Sequence, residues 1–504
     1  MKKIILLFIT SLLAISASAQ DDIRLNQVGF YPAGEKVAVI LSAEPVSFSL
    51  LDDETGAVVY SGESSSPNTW SYSEETVVRA NFSDFSDTGT YRVAVDGKTD
   101  SHTFVIADNV HGALAKASLK YYYFNRASTA LEEEYAGPWA RPMGHPDEEI
   151  IVHASAATEE RPEGYTFSAP KGWHDAGDFN KYVVNSGIST YTLMAAYEHF
   201  PEYYDDLDLN IPESGSGVPD ILDEARWNLD WMMEMQDPND GGVYHKLTTP
   251  GFSGRVMPHQ ATAKRYVVMK STAAALNFSA VMAVASRVYA DIDPDFSAEA
   301  IEAAEYAWEW ANDNPEKLYD QNAMNEQYNP NIFTGEYGDS NLSDEFDWAA
   351  VELYITTVDD QYWEAFNESE TWVGIPSWQY VRPLAWISLA HHLDDLTDAA
   401  NGEIISGRIT HQADLLLSEY ETSAYGITMG QESWHFLWGS NAMALNHSVL
   451  LLQAYRLTME EAYLDAAQTN LDYILGRNAT WVLLCDRSRQ PHADGPAPPS
   501  VLRR

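Results

Sequence analysis

The apolar residues of this chain change their period once, near residue 109, and that change decides what can be built on either side. Between residues 23 and 107 apolar and polar residues alternate in short runs. Examples are Lys36-Val-Ala-Val-Ile-Leu41, Val46-Ser-Phe-Ser-Leu-Leu51 and Tyr91-Arg-Val-Ala-Val95, separated by Gly, Asp, Pro and Ser. Period two broken by turn residues predicts short strands, and at this spacing a small β-sandwich. Beyond Asn109 the period becomes about 3.6 residues, the spacing of a helix with one buried face.

Helices are expected over 112–126, 219–236, 271–289, 297–312, 344–357, 383–392, 409–419, 442–457 and 459–475. In the second of these, Pro219 suits a first helical position, and Ile221, Leu222, Ala225, Leu229, Met232 and Met235 follow on one face. Trp227 and Trp231 fall at helical spacing and are expected in the core. Long loops rich in Gly, Trp, Tyr and Asp separate the helices, and loops of that kind carry sites. Pattern alone therefore predicts an all-α second domain.

The ends of the chain differ from its middle. Lys2 and Lys3 precede an apolar run over 4–15 and then Ala17-Ser-Ala19, which together form a signal peptide cleaved near Ala19. Export to the periplasm or the medium is the expectation, with no later segment apolar enough to cross a bilayer. A formal charge of −45 excludes nucleic acid and anionic membrane surfaces as natural partners. Cys485 is the single cysteine, so the chain has neither internal disulfides nor a cysteine-ligated zinc site.

Chemistry is concentrated in Lys171-Gly-Trp-His-Asp-Ala-Gly-Asp-Phe-Asn-Lys-Tyr182. Asp175 and Asp178 flank an Ala-Gly pair that allows a tight turn, so both carboxylates can face one spot. One such acid can hold a water while the other takes its proton, and their mutual repulsion tunes a base. A bare Asp-x-x-Asp pair is more often a turn cap. The whole string resembles the Gly-Gly-Trp-x-Asp-Ala-Gly-Asp signature of glycoside hydrolase family 9, the cellulase family, with Lys171 replacing the first Gly.

Further segments are similar to that family in its own order. They are Ser216-Gly-Val-Pro-Asp-Ile-Leu-Asp-Glu-Ala-Arg226, Gly241-Gly-Val-Tyr-His-Lys246, Trp438-Gly-Ser-Asn441 and Tyr473-Ile-Leu-Gly-Arg-Asn478. Ile23-Arg-Leu-Asn-Gln-Val-Gly-Phe-Tyr-Pro32 resembles the opening of the immunoglobulin-like module that precedes many of its catalytic domains. The resemblance implies a multidomain chain: signal peptide 1–19, immunoglobulin-like β-sandwich 20–107, an incomplete (α/α)6 toroid over 110–480, and a tail at 481–504. The sandwich is expected to support the catalytic domain rather than to bind sugar.

The same resemblance assigns Asp178 as general base and Asp175 as its partner on the water. Trp173, His174, His245, Tyr337, Trp378 and Trp438 become candidates to line a sugar cleft, because pyranose faces stack on aromatic rings. His245 as a histidine satisfied by backbone partners is the alternative. Trp139 and Trp434 are further loop aromatics. Ser340-Asn-Leu-Ser-Asp-Glu345 resembles a calcium-binding stretch through Ser340, Asp344 and Glu345. Acids opening a helix explain it as well, and Gln379 stands where the family supplies another Asp.

Family 9 places its general acid, a Glu, beyond the Arg-Asn pair matched by Arg477 and Asn478, after a Pro-His-His-Arg segment. Here the chain continues Trp481-Val-Leu-Leu-Cys485 and ends in a basic run. Shifting the reading frame by one base across 493–501 permits Pro-Met-Asp-Pro-His-His-Arg-Pro-Ser. A frame shift near Thr480 is thus expected, leaving a chain that keeps the base and lacks the acid. The expected activity is inverting cleavage of β-1,4-glucan by an endoglucanase, monomeric and without organic cofactor. An exo-acting relative releasing glucose, cellobiose or glucosamine is one alternative, and a non-catalytic glycan-binding protein is another.

Overall fold

A computed structural model describes residues 22–366, 372–480 and 484. The expected signal peptide and most of the tail lie outside these residues. The chain forms two compact units.

The first unit contains the sandwich. One sheet orders its strands Ile23–Arg24, Val37–Leu41, Glu75–Asn81 and Asn68–Trp70. The other runs Gly29–Phe30, Phe104–Ile106, Gly89–Ala94, Ser47–Asp52 and Val58–Glu63. Alternation places Ile40, Phe48, Leu50, Val78, Val93 and Ile106 in the core between them. Phe30 meets Phe82 and Phe104 edge-on at 5.5 and 5.4 Å, a geometry favoured by the ring quadrupoles. Two later stretches, 421–433 and 468–480, belong to the same unit. Arg24 forks onto Glu75 at 2.7 and 2.8 Å and also donates to Tyr425. Asn26 donates to Asp472 at 2.8 Å. The large exposed apolar side chains of the sandwich are Val58, Val59, Tyr72 and Val105, so one ring, not an aromatic stripe, faces solvent there.

The second unit is helical and is organised around Thr272–Tyr289. Ser271 caps this helix by accepting from the Ala274 amide at 3.2 Å. All of its residues except Arg287 and Val288 are buried, the mark of a helix packed on every side. Val183–His199, Pro294–Asp313 and Ser343–Thr357 pack against it. Gly187 lets the first of these approach closely, since a Cβ there would lie 2.5 Å from the Asn277 side chain.

Periodicity located the long helices well, with two differences, and left four short ones unannounced. Gly402–Thr422 begins seven residues before the expected 409. Val183–His199 is a full helix that the pattern did not announce. Its first half, Val183-Val-Asn-Ser-Gly-Ile-Ser-Thr-Tyr191, is rich in β-branched and small polar residues, which are weak helix formers. Tertiary packing carries it instead. Thr190 donates to the Ser186 carbonyl at 2.8 Å and accepts from Asn228 at 2.9 Å.

The second unit also holds a five-stranded sheet, ordered Thr166–Phe167, Ile150–Val152, Tyr266–Val267, Lys246–Thr248 and Lys181–Tyr182. Strands of two or three residues are too short for any period, so an all-α reading of this region is corrected. The sheet sets Tyr182 opposite Lys246.

Arg287 joins three of the central helices. It bonds Glu198 at 2.8 Å and pairs with Glu352 at 2.8 Å. Ser388 and Trp348 donate to the other Glu352 oxygen at 2.6 and 2.9 Å. Replacing Arg287 with Met leaves two buried carboxylates without a cation, a loss of roughly 3–5 kcal/mol. Glu198 is held well below the usual carboxylate range, chiefly by Arg287 against the opposing effect of burial. The pairing therefore stabilises above the unfolded pKa and fades as pH falls. Arg287→Met should lower Tm by several degrees at pH 7 and by clearly less at pH 3, below the ordinary glutamate range; equal losses at both would count against the pairing.

Candidate active site

The Asp175–Asp178 loop is held by its backbone from below. Gly172 has φ +74° and a Cβ there would meet the Trp231 ring at 2.8 Å, so the position demands glycine. Its amide donates to the Trp227 carbonyl at 3.1 Å, and the His174 amide donates to the Asn125 carbonyl at 2.8 Å. Lys171 stands at φ +63°, which explains why the family prefers glycine at that place. This chain instead carries a lysine bonded to Asp230 at 2.5 Å and set over the Trp227 ring. Lys181 closes the loop, donating to the carbonyls of Ala169 and Lys171 at 3.0 and 2.7 Å. The Asp175 amide donates to the Asn180 carbonyl at 3.1 Å, leaving Ala176 and Gly177 exposed at the tip.

Both carboxylates are oriented by neutral donors. Asp178 Oδ2 accepts from Asn180 at 2.5 Å and from the Tyr182 hydroxyl at 2.8 Å. The Asn180 carbonyl oxygen accepts from the Thr249 amide at 2.9 Å, which fixes its NH2 toward Asp178. Asp175 accepts from Asn185 and, at 2.9 Å, from the Tyr337 hydroxyl. Burial, with Asp178 adding to it, pushes the Asp175 carboxyl up to about 6 against the pull of those two donors. Asn180, Tyr182 and Asn185 are the functional residues that sequence reading missed. Asn180 and Tyr182 lie inside or at the end of the motif string, and only their contacts distinguish them from loop filler.

The expected cleft residues divide. Tyr337 reaches Asp175, and Trp378 packs edge-on against Tyr337 at 5.1 Å. Trp438 is 86% exposed and Trp139 is exposed as well, while Trp434, also exposed, has the His435 ring against it at 3.5 Å. Trp173, His174 and His245 are buried, which corrects their assignment to the sugar-facing wall. The Trp173 indole donates to Glu224 at 2.8 Å, and Glu224 also holds Arg126 at 2.9 Å. His174 packs on His145 and Phe179. His245 lies between Ser271 and the Glu336 carbonyl, 2.8 Å from each, and stacks on Tyr319. Burial drives its pKa down to about 3, so it is a neutral support beneath the site.

Residues 339–345 gather acids without cations. Glu345 is fully buried, and neither of its carboxylate oxygens has a hydrogen-bond partner; Asp339 Oδ2 is likewise unpartnered. Asp344 accepts from the Val381 amide at 2.8 Å. Burial and mutual repulsion push all three carboxyls upward. Ser340 is exposed, and Asp339 takes the place expected of it. No group of three or more acids, His or Cys among the described residues is drawn in tightly enough to form a finished metal shell. The unpartnered oxygens of Asp339 and Glu345 are of the hard kind that calcium uses.

Comparison with known proteins now decides the family. Residues 111–482 match glycosyl hydrolase family 9, and residues 18–100 match the cellulase N-terminal Ig-like domain. The chain belongs to glycosyl hydrolase family 9. It is 43% identical over 473 residues to a xyloglucan-specific endo-β-1,4-glucanase of Bacteroides ovatus, covering 92% of this chain and 80% of that one. It is 30% identical over 463 residues to endoglucanase D of Acetivibrio thermocellus, covering 90% and 71% of the two chains. A solved family 9 structure from Bacteroides ovatus superposes with a TM-score of 0.88 at 42% identity, over 92% of this chain and 86% of that one.

Two expectations follow from the site. Removing the Tyr337 hydroxyl takes away a donor that favours ionised Asp175, so Tyr337→Phe should move the acid limb of kcat/KM to higher pH on a dinitrophenyl β-cellobioside. A limb that stays in place or moves down would break the link. Calcium added after chelation should raise Tm, and Glu345→Gln should remove most of that rise; a chelator without effect on the native protein argues against a bound ion.

Proposed function

We propose that this chain is an exported endoglucanase that cleaves β-1,4-glucan by single displacement with inversion. The observation that carries this reading is the pairing of Asp175 and Asp178 in one tight loop, with neutral donors on each. A cation at Asp178 would lower its basicity, whereas amide and phenol donors aim the carboxylate and leave it able to take a proton.

In the proposed reaction a water sits between the two acids. Its proton passes to Asp178 as its oxygen attacks the anomeric carbon, while Asp175 holds the water in line. The bond from that carbon to the glycosidic oxygen breaks, and the leaving oxygen takes a proton from a general acid across the sugar. The family resemblance puts that acid after Asn478. Residues 485–504 lie outside the described part, and no Glu occurs from 481 onward as the sequence is written. Packing of Val183–His199 with Asp220–Glu234 and Thr272–Tyr289, then of Thr272–Tyr289 with Pro294–Asp313 and Ser343–Thr357, supports the α/α toroid.

The relatives narrow the substrate. One is specific for xyloglucan and the other is an endoglucanase, which supports a β-1,4-glucan main chain and favours a xyloglucan-type polymer. The test uses a dinitrophenyl β-cellobioside, whose phenolate leaves without needing an acid. The wild-type chain should hydrolyse it, and Asp178→Asn should lose about 10²–10⁴-fold in rate. Azide should restore the variant by attacking from the water's side, giving the α-glycosyl azide. A retained β configuration, or hydrolysis untouched by Asp178→Asn, rules out the assignment. Affinity for glucan without any cleavage would turn the reading to a binding protein, and single-sized products to an exo-acting enzyme.

A further inference from the structure

Lys246 is a buried lysine whose position makes little sense as a fold element. Its side chain donates to the Gly335 carbonyl at 2.5 Å, to Gln321 at 2.6 Å and to Thr334 at 3.3 Å. All three acceptors are neutral, and no carboxylate among the described residues lies within ion-pair distance of it. Burying an ammonium without a counter-charge costs stability, and an apolar side chain of similar length would be cheaper. Burial pulls its pKa down to about 7, with Glu336 and Asp178 opposing that shift from further off. Its ammonium also lies over the rings of Tyr182 and Tyr319, 5.6 and 5.2 Å from their centres.

What Lys246 holds is the short segment 334–337, and that segment reaches Asp175 directly and Asp178 by way of Tyr182. The Gly335 amide donates to the Tyr182 hydroxyl oxygen at 3.1 Å. That bond occupies a lone pair of Tyr182, so its proton is directed to Asp178. Two residues on, Tyr337 donates to Asp175 from a backbone at φ +48°. Such a conformation persists only where neighbours over-determine it. The clamps come from adjacent residues of one strand edge: His245 donates to the Glu336 carbonyl and Lys246 to the Gly335 carbonyl. Gln321 braces the segment by donating to the Thr334 carbonyl at 3.0 Å and by giving its own amide to Glu336 at 2.8 Å.

We propose that Lys246 is a positioning residue for the hydrolytic reaction: through Gly335 and Tyr182 it aims Asp178, and through the same segment it keeps Tyr337 on Asp175. The role rests on the base assignment made above, and the chemistry it serves is the orientation of a β-glucoside's attacking water.

The test has two independent readouts on the full chain. The first is hydrogen exchange of the peptide carrying residues 334–337, which needs no catalysis. Lys246→Met should speed exchange there about tenfold while the Thr272–Tyr289 helix keeps its protection. The second is turnover of the dinitrophenyl β-cellobioside. Lys246→Met should lower kcat about 10–100-fold with KM nearly unchanged. In a Tyr182→Phe background it should cost less than in the wild type, because one of its two routes, through Tyr182 to Asp178, is already cut. Lys246→Gln retains a donor for Gly335 and should recover most of the loss; should Lys246→Met not fold, the Gln variant enters the cycle with the same pattern at smaller amplitude. Unchanged exchange at 334–337 overturns the proposal, as do additive effects with Tyr182→Phe or a change confined to KM. If wild type leaves the glycoside intact, the base assignment fails, and exchange alone then decides whether Lys246 holds the segment.

Discussion

Two like charges must be kept side by side at the tip of a loop, and the surrounding structure is organised around that demand. Asp175 and Asp178 repel each other, and burial raises the carboxyl of Asp175 further. Cations would relieve the repulsion at the cost of basicity. The chain uses a phenol and an amide on each acid instead. Neutral donors orient strongly but stabilise charge weakly, so their own placement has to be exact, and most of the nearby hydrogen bonds serve that placement.

The supports are layered. Residues 334–337 carry Tyr337 and the Gly335 amide to the acids. Beneath them, His245 and Lys246 grip two successive carbonyls from one short strand. The strand that Lys246 opens pairs with Lys181–Tyr182, so the support for residues 334–337 and the segment that carries the acids belong to one sheet. The helices contribute at greater distance. Asp220–Glu234 supplies Glu224 to the Trp173 indole and backbone to Gly172, while the Arg287 network locks the helices around Thr272–Tyr289. The Arg287 charges are thus paired between helices, whereas Lys246 and the acids at 339–345 have no ion-pair partner among the described residues.

Much of this was legible in the residues. The change of period near 109 separated strands from helices, and the core face of Asp220–Glu234 appeared at the expected spacing. The Ala-Gly pair between two acids pointed to a tight loop carrying both carboxylates. Other features left no trace. Val183–His199 was not announced as a helix because its first half is rich in weak helix formers, and Asn228, Thr190 and the close approach at Gly187 help to hold it as one. Strands of two residues have no period to detect.

What the sequence by itself determined is the set of local choices: where the backbone alternates or coils, where a tight turn is permitted, and which two acids share it. These depend on neighbours within a few residues. Which aromatic or basic side chains face the substrate and which face inward was decided by the tertiary structure alone. Trp173 and His174 sit within the motif and His245 in a later one, yet all three turn into the protein, and Lys246 acts on Asp178 through a segment 89 residues away. A side chain's role there depends on which distant carbonyl or carboxylate it can reach, and distance in the chain carries no record of that.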